Sequence, residues 1–233
     1  YGGEILGIAG ISGSGQKELL ESIAGLQLVH PGADITFYDP ENGDAPMQLV
    51  GQNPRKIKEM GIHLSFVPED RLGMGLVGTM NLSDNMMLRS FRKGKSFFTD
   101  RKAPDVWLEV VKDLNVKTPS IDTPIRKLSG GNVQKVLVGR EIASAPKVLL
   151  TAYAVRGLDI NSSHTIYDLI GINIHTVKHH GQLVHESNID ITLTVFNHFC
   201  SFCHLYTRCS VNTCFNNKLI YTCNNVKCFC IHT

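Results

Sequence analysis

Apolar and polar positions follow two rhythms along this chain. EILGIAG, residues 4–10, is a short apolar run closed by glycine and predicts a buried strand. QKELLESIAGL follows, with Leu19, Leu20, Ile23 and Ala24 at helical spacing, so a glycine-rich loop lies between strand and helix. DITFYD (34–39) alternates and predicts a strand at the sheet edge. NPRKIKEMG predicts a helix capped by Asn53, with Pro54 in its first turn and a stop at Gly61. IHLSFVPED predicts a strand running into a proline turn, and KVLLTAY (147–153) a further buried strand. From Met80 to Val116 the apolar spacing is helical apart from RKGKS around Gly94, which predicts a mostly helical lobe over about residues 80–125. LSGGNVQKVLVGREIASAPKVLL (128–150) reads as an amphipathic helix with Val133, Val136, Leu137 and Ala143 apolar, followed at once by a strand. These elements add up to an α/β domain with a mostly parallel sheet.

Composition changes this picture at one place. The chain has 233 residues, 19% of them charged, and a net charge of +2, so no electrostatic footprint points to nucleic acid. No apolar run reaches the roughly 18 residues from which a spanning helix is read. The first residues lack a basic leader and a cleavage site and read as a chain already inside a domain, that is, as a fragment. Near residue 170 the composition breaks. All nine prolines lie at or before Pro146, no alanine follows Ala154, and all seven cysteines lie between Cys200 and Cys230. The expected organisation is a domain over 1–170 and a low-charge tail rich in Cys, Asn and His over 171–233.

Two stretches carry chemistry. In GISGSGQKEL (10–19), Gly10, Gly13 and Gly15 can turn the backbone tightly and aim N–H groups at an anion beside the positive end of a helix. A phosphate loop normally closes with lysine and a hydroxyl residue, whereas Gln16 and Lys17 stand here. By itself the stretch suits a structural turn as well as a nucleotide loop. In LSGGNVQK, Ser129 can cap a helix, and its hydroxyl with the N–H groups of Gly130 and Gly131 would form an anion cradle.

LSGGNVQK resembles the signature of the ATP-binding cassette (ABC) transporter ATPases, in the form found in importers of simple sugars and nucleosides. FVPEDR (66–71), GLV (75–77) and VRGLDINSS (155–163) resemble the second of the two cassettes that such importers carry in one polypeptide, and the likeness runs from residue 2 to about 170. It implies a P-loop NTPase-type fold with an inserted helical subdomain. ATP and Mg²⁺ would be cofactors, mainly at a partner cassette's site. A second cassette and membrane permease subunits would be partners, at the cytoplasmic face of the membrane.

The resemblance also assigns roles. Gly10, Ser12, Gly13, Ser14, Gly15, Gln16 and Lys17 correspond to a degenerate ATP loop, in which glutamine is common in second cassettes. Leu128, Ser129, Gly130, Gly131, Asn132 and Gln134 would close over ATP held by the partner. Glu69 takes the Q-loop place and would contact the permease, and Gly157, Leu158 and Asp159 form the D-loop that couples the two sites. Ala152 and Tyr153 occupy the places of the magnesium-binding aspartate and the catalytic glutamate, so no catalytic residue is intact. A methyl group cannot ligate magnesium, and a phenol cannot replace a carboxylate base. Ala154 stands where the family pattern suggests proline. The isolated chain is expected to be inactive, and a non-catalytic decayed fragment or regulatory module is the alternative role.

The likeness stops in the tail. His179, His180, His185 and His198 fit no switch-histidine position, and no metal site is assigned. Cys200, Cys203 and His204, with Cys223, Cys228, Cys230 and His232, could supply zinc ligands, although their spacing fits no familiar finger. A shifted reading frame in an AT-rich gene would produce the same composition, and an unfamiliar genuine segment is the third reading. The cargo is not legible, because a binding protein and permease select it.

Overall fold

The computed structural model describes residues 4–9, 15–39, 43, 45–89, 111–155, 157–175, 177–179, 182–184, 191–196, 210–215, 218–223 and 226–230, with side chains from 5 to 8 and, within those ranges, from 15 to 170. The chain forms two units, one of Tyr1–Leu64, Lys147–Ala152 and Asp190–Thr233, the other of Ser65–Pro146 and Tyr153–Ile189.

In the first unit, β1 (Glu4–Ala9) and α1 (Gln16–Ile23) flank the glycine-rich stretch. Of the four apolar positions on α1, Leu20 and Ala24 are fully buried, while Leu19 is 39% exposed. The antiparallel ribbon β2 (Thr36–Tyr38) and β3 (Pro46–Gln48) follows. The strand expected at 34–39 therefore exists, but in its own two-stranded sheet and not at the edge of the main one. A local reason is visible in Asp34, whose Oδ1 accepts from Thr36 Oγ1 at 2.8 Å and from Gln48 Nε2 at 2.7 Å across the ribbon. Helix α2 (Pro54–Glu59) has the predicted cap, Asn53 Oδ1 accepting from Lys56 N at 2.9 Å, and it ends before Gly61 at φ +86°. Gly25 is fixed by conformation and space together, because its φ is +71° and a β-carbon there would overlap Gln52 O.

Strand β5 (Val148–Ala152) is buried at every residue, as its unbroken apolar run implies. At its start Lys147 Nζ lies 3.0 Å from the buried Asp39 carboxylate. The backbone places β8 (Ile191–Phe196) between β5 and β1, parallel to both, with Ile8 opposite Val195 and Leu150 opposite Leu193. On the other side of β1 lies β11 (Val226–Cys230), parallel, followed by antiparallel β10 (Lys218–Cys223) and β9 (Ser210–Phe215). Helix α1 packs on β5 and β8. Strands of the compositional tail thus take positions beside β1. The side chains of 171–233, and with them the expectation of a tail without a packed core, lie outside the described residues.

In the second unit, β4 (Leu64–Val67) runs into Pro68 and a π-helical turn, Arg71–Gly75, capped by Asp70, which accepts from Leu72 N and Gly73 N. Then come α3 (Leu82–Met87), a 3-10 turn (Ile125–Lys127), α4 (Gly130–Ala143), α5 (Ile160–His175) and the short ribbon β6 (Val177–His179) and β7 (Gln182–Val184). Of the expected helical lobe, α3 and the helical residues 111–113 are described, while 90–110, including the break around Gly94, lie outside. Helix α4 departs from the amphipathic reading. Val133, Gln134 and every residue from Val136 to Ile142 are buried, whereas Ala143 is exposed. A helix enclosed on all sides has no single apolar stripe, so periodicity could not select its buried residues. No helix among the described residues is long and apolar enough to cross a membrane.

Candidate functional site

The candidate residues fall into two groups, one in each unit. In the first unit, the glycine-rich stretch follows β1 in the sequence. Gly10, Ser12, Gly13 and Ser14 lie outside the described residues. Gly15 sits at φ +86°, a backbone suited to glycine, and its carbonyl accepts from Leu19 N at 2.9 Å. Gln16 then opens α1 and is 2% exposed, with its amide nitrogen Nε2 buried and without a hydrogen-bond partner. A buried donor in that state costs about 1–3 kcal/mol. An anion in the loop would supply the missing acceptor, so the residues present fit a phosphate at this place. Lys17 does not act as the absent loop lysine, for its side chain is half exposed and its Nζ lies 3.7 Å from Glu21. At the end of β5, the buried Ala152 offers only a methyl group. Among the described residues, no group of three or more His, Cys, Asp or Glu side chains could hold a metal ion.

In the second unit, the start of α4 organises everything nearby. Ser129 is its N-cap, in extended conformation, and Ser129 Oγ accepts from Asn132 N at 3.4 Å and from Asn132 Nδ2 at 3.0 Å. With two bonds accepted, the hydroxyl retains its own O–H as a donor. Asn132 is in turn fixed by Lys117 N, which donates to its Oδ1 at 3.1 Å. Gly130 and Gly131 are the first helical residues, so their N–H groups have no acceptor within the helix. Three donors and the positive end of a helix thus meet at one exposed point. Gly131 admits little else, since a β-carbon there would lie 3.3 Å from Leu158 Cδ2.

Other parts of the chain hold this point. Arg71 Nη1 donates to Gly130 O at 2.9 Å. Gln134, grouped by the resemblance with the ATP-facing residues, is 1% exposed and donates from Nε2 to Ala154 O at 2.6 Å. That bond anchors the backbone just after Tyr153, whose φ of +56° is rare for so bulky a residue. Gly157 also has positive φ, and Asp159 accepts from Ser162 N at 2.9 Å and Ser162 Oγ at 2.7 Å, capping α5. The Ser162 hydroxyl and then its backbone N–H hold the Asp159 carboxyl below the usual carboxylate range. Glu69 and Asp70 line a cavity of about 350 Å³ together with Arg71, Arg126 and Leu128.

Sequence reasoning missed a buried polar cluster behind this helix. Glu141, fully buried, receives Arg140 Nε at 2.9 Å and the Arg89 guanidinium. Arg140 continues to Gly75 O at 2.6 Å and Asn85 O at 3.4 Å. Burial lowers the Arg140 pKa, opposed by the Glu141 charge. The adjacent Arg-Glu pair in GREIA was the available signal, because charged residues within an otherwise apolar helix need partners.

Comparison with known proteins shows the family. The family model described as ABC transporter matches residues 1–151. The chain is 35% identical over 170 residues to a ribose import ATP-binding protein, RbsA, of Geobacillus kaustophilus, covering 72% of this chain and 32% of the relative. It is 36% identical over 176 residues to the guanosine import ATP-binding protein NupO of Bacillus subtilis, covering 71% of this chain and 31% of that one. The chain therefore spans about a third of the length of these relatives. Among solved structures, the ATP-binding cassette MJ0796, in a dimeric post-hydrolysis state bound to ADP and Pi, superposes with a TM-score of 0.66 at 19% identity, covering 86% of this chain and 77% of that one. A nucleotide-free ATP-binding cassette from an ABC transporter gives 0.60 at 18%, covering 94% and 79%. At such identities the likeness is one of fold.

Proposed function

Because the chain belongs to the ABC transporter family as an ATP-binding cassette, we propose that it is the degenerate second cassette of an importer for simple sugars or nucleosides, lending its signature to ATP held by a partner cassette. The observation that carries this reading is the contrast between its two groups of residues. At the start of α4 the Ser129 hydroxyl and the Gly130 and Gly131 N–H groups stand ready as donors, while the end of β5 offers Ala152 and Tyr153 in place of carboxylates. When bound, Mg-ATP supplies the phosphoryl group that is transferred to water. The residues of this chain bind and orient it. Ser129, Gly130 and Gly131 place donors where charge develops on the terminal phosphate, a role that pre-oriented dipoles fill best. Gln16 can donate to a phosphate in the chain's own loop but brings no positive charge, so that loop would bind nucleotide without driving its hydrolysis. The cavity beside Glu69 is the proposed permease contact, at the cytoplasmic face of the membrane.

The ribose and guanosine importers among the relatives motivate the cargo class. The functional test is steady-state ATPase activity of the chain fused to its first cassette. Gly131→Asp sets a carboxylate against the phosphate and should abolish turnover, while Gln16→Ala should lower it by less than about threefold. Equal damage from both would show a working site in this chain's own loop. Wild-type activity in Gly131→Asp would instead favour the non-catalytic role, for which the missing carboxylates already speak.

A further inference from the structure

The turn Arg71–Gly75 is fastened to α4 at both ends. At one end Arg71 Nη1 donates to Gly130 O at 2.9 Å, and at the other Arg140 Nη2 donates to Gly75 O at 2.6 Å. The Arg71 fork reaches further. Nη2 lies 3.4 Å from where a β-carbon on Gly157 would stand, and Nη1 lies 3.2 Å from the corresponding point on Gly130. One guanidinium therefore packs against both the first residue of the signature helix and the turn that precedes Asp159. A β-carbon at Gly130 would crowd it by a few tenths of an ångström, and one at Gly157 would just reach it.

The carbonyl it holds has a particular neighbour. Gly130 C=O and Gly131 N–H belong to one planar peptide unit, so fixing the oxygen fixes the direction of the N–H. A cation on the oxygen also polarises that peptide and strengthens its N–H as a donor. We infer that Arg71 is a positioning residue for the signature: it orients and polarises the Gly130–Gly131 peptide toward the partner's terminal phosphate and ties the Gly157 turn to the same point. The inference rests on the proposed role of the signature in a partner's site. It places the Arg71 side chain inside the cassette's own machinery, whereas the resemblance sends its near neighbour Glu69 to the permease. Arginine suits the task because its planar fork serves two directions at once, which an ammonium does not.

The test uses the two-cassette protein purified without permease. Arg71→Ala should lower kcat for ATP about tenfold while KM for ATP and the unfolding temperature stay near wild type, because the bound state of the loop nucleotide is unchanged and only the donor at the phosphate is disturbed. Arg71→Lys, which keeps a charge and a donor but loses the fork, should recover part of that loss. Unchanged kcat in Arg71→Ala, in a protein that Gly131→Asp silences, overturns the inference. So does a loss of transport with permease-free ATPase intact, which would make Arg71 a permease contact. If Gly131→Asp is silent as well, the fault lies in the signature's proposed role. Should Arg71→Ala fail to fold, Arg71→Lys decides: a lowered kcat at unchanged KM supports the inference, and wild-type kcat overturns it.

Discussion

The Asp159 carboxylate accepts both the amide and the hydroxyl of Ser162, and these bonds favour its charged form. Its pKa is therefore depressed relative to the unfolded chain, where an aspartate titrates near about 3.9. A depressed carboxyl contributes stability that is fully present above the unfolded pKa and is lost as pH falls through the folded one. The cap on α5 should thus be constant from neutrality down to about pH 5 and vanish only in stronger acid. Unfolding temperatures of wild type and Asp159→Asn against pH should differ by a constant amount near neutrality and converge in acid, and a gap that persists in acid would contradict the assignment. GLD marked Asp159 by resemblance as a D-loop position, but its capping role was not legible. That depends on Ser162 standing at the N3 place of a helix whose start the sequence leaves open. The resemblance likewise set Tyr153 at a glutamate position, but nothing in the sequence announced its left-handed backbone, which lies next to the Ala154 carbonyl that Gln134 holds.

At the scale of elements, α4 joins more of the second unit than its length suggests. Its first turn meets Arg71 and Leu158, its middle meets Ala154 through Gln134, and its last turns carry Arg140 and Glu141. Glu141 is the electrostatic centre of this connection, because it balances Arg140, which is 6% exposed, and also holds Arg89. Glu141→Ala would leave a buried guanidinium uncompensated and should cost about 3–5 kcal/mol. Denaturant unfolding would reveal it as a lowered midpoint with little change in slope, and a loss below about 1 kcal/mol would mean that water solvates Arg140 in its place. Asn85 acts similarly from α3. Its Oδ1 accepts from Val77 N at 2.7 Å while its Nδ2 donates to Val77 O at 3.0 Å, closing the segment after the π-helical turn.

For the whole molecule, the informative element is β8. Its backbone lies between β5 and β1 and pairs with both, although it belongs to the compositional tail. A strand with neighbours on each side exchanges its amide hydrogens slowly, near the limit set by global unfolding. Residues 191–196 should then exchange as slowly as Glu4–Ala9 when followed by mass spectrometry. Exchange at the rate of an unstructured chain is what the reading of 171–233 as out-of-frame sequence requires, so one measurement separates the two. ITLTVF, rich in β-branched residues, already carried a strand signal. Its place in the sheet was not legible, since the parallel partners Ile5–Ala9 and Val148–Ala152 lie far away in sequence.

The sequence by itself determined the strand and helix on either side of the glycine-rich stretch, the capped α2, the apolar β5 and the likeness to the ABC family. Each is written in a contiguous stretch, where turn chemistry, caps and periodicity act over a few residues. It also determined what is missing, because no fold can make the Ala152 side chain a metal ligand. Only the tertiary structure decided that 34–39 pairs with 46–48 in a separate ribbon, that α4 is enclosed on all sides, and that Arg71, Gln134 and Glu141 each find their partners. Those outcomes rest on contacts between residues remote along the chain. A guanidinium or amide becomes a clamp only where folding sets an acceptor within about 3 Å of it.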